Sequence, residues 1–84
     1  MGIDVERTLM LGKLAGLKET LAKDKIKAEN LCKSICTGLN LNLNKVEEMD
    51  IAQASTLMDE LVIINIDILD SVTQIQRLEK ALNG

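Results

Sequence analysis

The sequence contains no phenylalanine, tyrosine, tryptophan, histidine or proline. Aromatic side chains anchor most ligand pockets, interface hot spots and base-stacking surfaces, so their absence argues against sites of those kinds. Histidine is the commonest general acid–base residue, and no glycine-rich phosphate loop or nucleophile with an adjacent base replaces it. We therefore expect a non-enzymatic protein with no catalytic residues and no cofactor. The lack of proline favours long, uninterrupted helices.

Long hydrophobic runs are also missing. The longest, residues 61–69, is interrupted by Asn65 and Asp67 and is far shorter than the ~20 residues of a membrane span. The first residues lack the basic start and apolar run of a signal peptide. Two cysteines fit a reducing compartment, so we expect a cytoplasmic protein that does not bind a membrane.

The chain is short for a strongly stable core. At 84 residues it predicts a single domain spanning residues 1–84, whose core supplies little net stability by itself. Two cysteines without histidine provide neither a disulfide framework nor an ordinary zinc site. Association of several copies is the remaining way to cover its aliphatic residues.

Apolar residues at alternating spacings of three and four predict a first helix over residues 4–37. This spacing keeps one stripe of a helix, its seam, facing a neighbouring helix, as in a coiled coil. Arg7 and Asp24 occupy the two polar positions of the first seam. Its apolar members are Ile3, Met10, Leu14, Leu17, Leu21, Ala28, Leu31 and Ile35.

The same spacing predicts a second helix over residues 45–82. Asn44 followed by Glu47 resembles a capping box and sets the predicted start. Ser71 is the only polar position of the second seam. A break near residues 54–56 and a strand through residues 64–68 are the alternatives. The apolar seam members are Ala54, Leu57, Leu61, Ile64, Ile68, Ile75, Leu78 and Leu82.

The middle of the second helix is apolar well beyond its seam. One partner helix covers only about a third of a helix circumference, so this surface predicts further partners. Asn65, in its middle, predicts a residue that fixes assembly register, with an outward-facing Asn65 as the alternative. The predicted interface comprises Leu57, Met58, Leu61, Val62, Ile63, Ile64, Asn65, Ile66, Ile68, Leu69, Val72 and Ile75.

Residues 38–44 alternate leucine or glycine with asparagine and are interpreted as a loop, because no partner strand is evident. A loop centred near residue 41 predicts that facing residues have numbers adding to about 81 in an antiparallel pair. Charge supports this pairing. Residues 1–37 hold seven basic and five acidic side chains, and residues 38–84 hold three and eight.

Two residue pairs on the first helix carry weaker predictions. Cys32 and Cys36 lie one helical turn apart and are interpreted as small packing residues, with a four-thiolate metal site shared by two copies as the alternative. We predict no metal. Gly12 and Gly16 permit close approach of another helix and predict a place where a bulky residue such as Leu69 nests.

Five lysines of the first helix form the only basic stretch. They are interleaved with acidic residues and are interpreted as a solvated helix face, because nucleic-acid binding favours net positive charge, arginines and aromatic platforms. These residues are Lys18, Lys23, Lys25, Lys27 and Lys33.

The sequence therefore predicts an all-α, antiparallel two-helix hairpin that self-associates into a helical bundle, with four helices as the favoured form. The expected function is a helical protein–protein interaction module, either structural or chaperone-like. Its expected partner is itself, as a dimer or tetramer, with another helical protein as an alternative. A small dimeric nucleic-acid-binding regulator that uses the lysines of the first helix is the less favoured function.

Overall fold

The spacing of aliphatic residues produces two helices that lie antiparallel with their seams in contact. The computed structural model describes residues 2–83, with side chains from residue 5 onward. Helix α1 spans Gly2–Gly38, a short 3-10 turn spans Val46–Glu48, and helix α2 spans Ile51–Asn83. Together they form a rod of 67 × 16 × 16 Å. The predicted all-α hairpin is confirmed.

Burial follows the predicted seams. From Met10 to Ile35, every seam residue of α1 is buried or half-buried, including the polar Asp24. Every seam residue of α2 from Ala54 to Leu82 is likewise at least half-buried. Arg7 is exposed. The predicted seam member Ile3 lies outside the residues whose side chains are described.

The core between the helices is thin. Ile35 and Ile75, each 7% exposed, are the only buried hydrophobic residues in the described part of the chain, and Ser71, one turn before Ile75 in the α2 seam, is buried as well. The radius of gyration is 18.9 Å, whereas a compact chain of this length would have about 12 Å. Two helices in a rod cover each other on one side only.

The start of α2 was predicted wrongly. Asn44 does not cap α2, which begins six residues later than expected, at Ile51. Its side-chain amide instead donates to the carbonyls of Thr37, at 3.0 Å, and Gly38, at 3.5 Å. These carbonyls belong to the last turn of α1, where backbone acceptors have no partner within the helix. Asn44 therefore closes α1.

Asp50 is the residue that caps α2. Its Oδ1 accepts a hydrogen bond from the backbone N–H of Gln53 at 2.9 Å. This satisfies one of the free N–H groups of the first turn, and the carboxylate also complements the positive end of the helix dipole. The sequence analysis named only Asn44 as the cap, and the carboxylate six residues later in the chain is the one used.

The helices consequently pair in a different register. Arg7 Nη1 donates to the backbone carbonyl of Leu82 at 3.3 Å. Ile35 borders the same surface groove as Ala54, whereas the predicted register placed it opposite Val46. The facing residues of α2 lie about one heptad later than predicted. A shift of one heptad leaves the same residues in both seams, so the predicted burial pattern survives.

Helix α2 is continuous through residues 54–56, and residues 64–68 are helical. Both alternatives raised by the sequence are therefore wrong. A loop follows α1, as predicted, but it begins at residue 39 and not at residue 38, and the connection extends past the predicted end at residue 44 through the 3-10 turn to residue 50. Within it, the Asn40 side chain accepts from the N–H of Asn42 at 2.9 Å, and its carbonyl accepts from Leu43 at 3.0 Å. This is the local bonding by which asparagine favours turns.

The thin core makes a prediction about stability. Ile75→Ala should lower the free energy of unfolding by about 2 kcal/mol, because it removes a buried side chain and leaves a cavity. Ile26→Ala is the matched control, since Ile26 is 59% exposed. Circular dichroism at 222 nm during thermal unfolding, at one fixed protein concentration, compares them. Equal losses in the two variants would contradict the described core.

The cap of α2 makes a second prediction about stability. Asp50→Ala should destabilise the protein by about 1 kcal/mol, because the N–H of Gln53 loses its acceptor. Asp50→Asn keeps an oxygen in the same place and should retain most of the stability. Urea titration followed by circular dichroism measures both. A loss in Asp50→Asn as large as that in Asp50→Ala would show that the hydrogen bond is not the cause.

Candidate functional site

The hairpin has two different broad faces. Because an α-helix turns by about 100° per residue, the residue after each seam residue lies on one broad face and the residue before it on the other. In antiparallel helices, the residues after both seams share one face. The grooves agree: Met58 borders a groove with Leu39, whereas Lys13 borders one with Arg77.

We call the face that carries the residues after the seams the front face. It consists of Thr8, Leu11, Ala15, Lys18, Ala22, Lys25, Glu29, Cys32 and Cys36 on α1 and Ser55, Met58, Val62, Asn65, Leu69, Val72, Gln76, Glu79 and Asn83 on α2. The opposite set defines the back face. It consists of Glu6, Leu9, Lys13, Gly16, Thr20, Lys23, Lys27, Asn30 and Ser34 on α1 and Gln53, Thr56, Glu60, Ile63, Asp67, Asp70, Gln74 and Arg77 on α2.

Charge is distributed unequally between these faces. Four of the front-face residues are charged, namely Lys18, Lys25 and Glu29 on α1 and Glu79 near the end of α2. The front face of α2 carries no charge from residue 55 to residue 76. Eight back-face residues are charged. The front face is therefore the side of the hairpin that water solvates poorly.

Large aliphatic side chains lie open on the front face of α2. Met58, Val62 and Leu69 are 46%, 52% and 57% exposed, and Val72 is half-buried. Asn65, in their middle, is exposed. Since solitary exposed aliphatic residues are ordinary but contiguous ones mark interaction surfaces, this stripe is the candidate functional site.

The structure separates the predicted interface into three groups. The first packs against α1 within the hairpin and consists of Leu57, Leu61, Ile64, Ile68 and Ile75. The second is the front-face stripe, consisting of Met58, Val62, Asn65, Leu69 and Val72. The third lies outside both: Ile63 on the back face and Ile66 on the outer side of α2. Only the second group forms a continuous, largely apolar stripe that the hairpin itself leaves uncovered.

The α1 half of the front face was missed by the sequence analysis. It carries Leu11, which is 47% exposed, and the small residues Ala15 and Ala22. The same one-residue offset from the seam that reveals the α2 stripe also identifies these positions. They escaped notice because alanine contributes little to an apolar pattern.

The two cysteines lie on the front face near the loop. Both Cys32 and Cys36 are exposed and free of disulfides. The described residues contain no group of three or more His, Cys, Asp or Glu side chains able to hold a metal ion. Within one chain, the two thiols are exposed surface groups, and a packing role for them in an assembly stays a prediction.

Gly12 and Gly16 are exposed, and a Cβ atom built on either would meet no atom within 4 Å. Leu69 of the same chain therefore does not nest against them. Gly12 lies on the outer side of α1 and Gly16 on its back face. A role for them in close approach of another molecule stays a prediction.

The five lysines of the basic stretch on α1 do not share a face. Lys18 and Lys25 lie on the front face, Lys23 and Lys27 on the back face, and Lys33 on the outer side. Acidic residues accompany them. Lys23 Nζ lies 3.3 Å from Glu19 Oε1, and Lys27 borders a groove with Glu60. This arrangement gives no continuous basic surface for a phosphate backbone.

A second exposed apolar region lies at the loop end of the rod. Leu41, Leu43 and Val46 are 72%, 65% and 63% exposed, beside Glu47 and Glu48. Sequence reasoning interpreted this segment only as a connection. The alternation of leucine with asparagine was the available signal, since it places three leucines in a polar loop.

The accessible surface is large for the size of the chain. It measures 6448 Å², whereas a compact monomer of this mass exposes about 4,900 Å². The difference is about 1,500 Å², which exceeds the roughly 800 Å² that each partner loses in a standard protein interface. One hairpin therefore has enough surplus surface to supply such an interface.

In residues 2–83, neither helix has a stretch long and apolar enough to cross a membrane.

Comparison with known proteins gives no match: no family model fits the chain, and no curated protein or solved structure is significantly similar to it.

Proposed function

We propose that this protein is a non-enzymatic, helical interaction module that functions by self-association, with two hairpins forming a four-helix bundle through their front faces. The observation that carries the proposal is the uncharged stripe on α2, whose aliphatic side chains are about half exposed. Removing such side chains from water contributes a favourable free energy of roughly 25 cal/mol per Å² of apolar surface buried. The accessible surface that the rod exposes beyond that of a compact monomer is large enough for a standard protein interface.

The back face supports the same assignment. Its eight charged residues keep that side in water, so association through the front face leaves a charged exterior. Gln74 Nε2 donates to Asp70 Oδ2 at 2.7 Å there, a polar contact that needs no partner molecule.

The cytoplasm is the proposed location, because Cys32 and Cys36 are free thiols that persist under reducing conditions.

A single charge on the front face should prevent assembly. Leu69→Glu places a carboxylate where the proposed interface excludes water, which is costly without a partner charge. Multi-angle light scattering with refractive-index detection should give twice the chain mass for the natural sequence and a single chain for this variant. Refractive index is needed because the chain has no aromatic absorbance.

Ile63→Glu is the matched control. It introduces the same charge on the same helix at a residue of similar exposure, 61% against 57%, but on the back face. Its mass should equal that of the natural sequence. A monomeric natural protein at high concentration, or identical behaviour of the two variants, would refute assembly through the front face.

Asn65 provides a separate test of specificity. Asn65→Leu should raise the melting temperature, because an apolar side chain replaces an amide within an apolar interface. It should also allow more than one oligomer, since a buried amide penalises arrangements that leave it unpaired. Native mass spectrometry across a concentration series counts the species. A single unchanged species would show that Asn65 does not fix the assembly.

A further inference from the structure

We infer that, in the dimer, α2 of each hairpin packs against α1 of the other, with both loops at the same end of the bundle. This inference rests on the proposed self-association and specifies its arrangement. Two hairpins that meet front face to front face around a two-fold axis have two simple choices. Either α2 covers α1 of the second copy, or like helices cover each other.

The position of the axis distinguishes these choices. If the axis runs along the rod, each α2 lies beside α1 of the second copy, every neighbouring pair of helices is antiparallel, and the loops lie together. If the axis crosses the rod, α1 lies on α1 and α2 on α2, and the loops lie at opposite ends, separated by nearly the 67 Å length of the rod.

Charge favours the first choice. Over residues 5–38, α1 carries seven basic and four acidic side chains, a net charge of +3. Over residues 51–83, α2 carries two basic and five acidic side chains, a net charge of −3. Pairing α2 with α1 of the second copy brings helices of opposite net charge together, although the charges of α2 lie mostly outside its front face. Pairing like helices repeats the same sign in both contacts.

Side-chain size favours the same choice. The front face of α2 presents Met58, Val62 and Leu69, whereas that of α1 presents Ala15 and Ala22 in its middle. Large residues on one helix and small residues on the other allow the close interdigitation that buried helix contacts require. Two α2 stripes would bring bulky side chains together and leave the alanines of α1 facing each other.

The register within the hairpin gives the matching positions. Since Arg7 lies beside Leu82, Leu69 lies level with residues 19–21 of α1. A two-fold axis along the rod keeps every residue at the same height in both copies. Leu69 of one copy therefore reaches the height of Ala22 and Lys18 of the other, and Asn65 reaches the height of Lys25.

Distances between loop labels test the arrangement. In a chain with Cys32→Ser and Cys36→Ser, Asn42→Cys provides one attachment site for a nitroxide spin label, and pulsed electron paramagnetic resonance measures the label separation. Helices in bundles pack with axes about 10 Å apart, so loops at the same end should give a separation below about 40 Å. Loops at opposite ends would give a separation near 60 Å or beyond detection, which would overturn the inference.

Thr20→Cys in the same background is the control. Thr20 is exposed on the back face near the middle of the rod, so both arrangements give a measurable separation there. A signal at Thr20→Cys without one at Asn42→Cys therefore identifies a dimer of the wrong arrangement and leaves self-association intact. No inter-chain signal at either site, with a single-chain mass by light scattering, refutes the proposed function itself.

A charge reversal with both cysteines present tests the arrangement independently. Lys18→Glu lies on the front face of α1 and should weaken the dimer roughly twofold to fivefold at low salt if α1 faces the acidic α2. It should strengthen the dimer if α1 faces the basic α1. Lys13→Glu on the back face is the control. Sedimentation equilibrium measures the dissociation constants, and a tighter Lys18→Glu dimer would overturn the inference.

Discussion

A helix in contact with one other helix has only about a third of its circumference covered, and this geometric limit governs the whole molecule. Each helix of the hairpin has one neighbour. As a result, although 46% of the chain is hydrophobic, Ile35 and Ile75 are the only hydrophobic residues in its described part that are less than a tenth exposed. The aliphatic residues outside the seams remain in contact with water. They define where any further association must occur.

The two broad faces divide the remaining surface by charge. On α2, the residues directly after seam residues include Met58, Val62 and Leu69, which lie on the front face. The residues directly before seam residues include Glu60, Asp67 and Asp70, which lie on the back face. The hairpin is thus amphipathic as a unit, although each helix taken alone has no simple polar side. Such a unit fits a bundle in which one face is shared and the other stays hydrated. Leu9 and Ile63 are the exceptions, as large, exposed aliphatic residues on the charged back face.

The α2 stripe was predictable because its members are large and repeat at helical spacing. The α1 half was not recognised, because Ala15 and Ala22 are too small to stand out among neighbouring lysines. Which residues share a face across two helices depends on their antiparallel pairing, and no single-helix pattern contains that information. The exposure of Leu41 and Leu43 was equally hidden, because it depends on the path of the loop.

The sequence by itself determined the helices, their antiparallel pairing and the composition of both seams, because alternating spacings of three and four allow one burial pattern. It did not determine the register. A heptad repeat looks the same after a shift of seven residues, so seam residues pair acceptably at more than one offset. The conformation of the connecting loop selects one of these offsets. Asn44 closes α1 and Asp50 opens α2, and the length of chain between the two caps sets Arg7 beside Leu82.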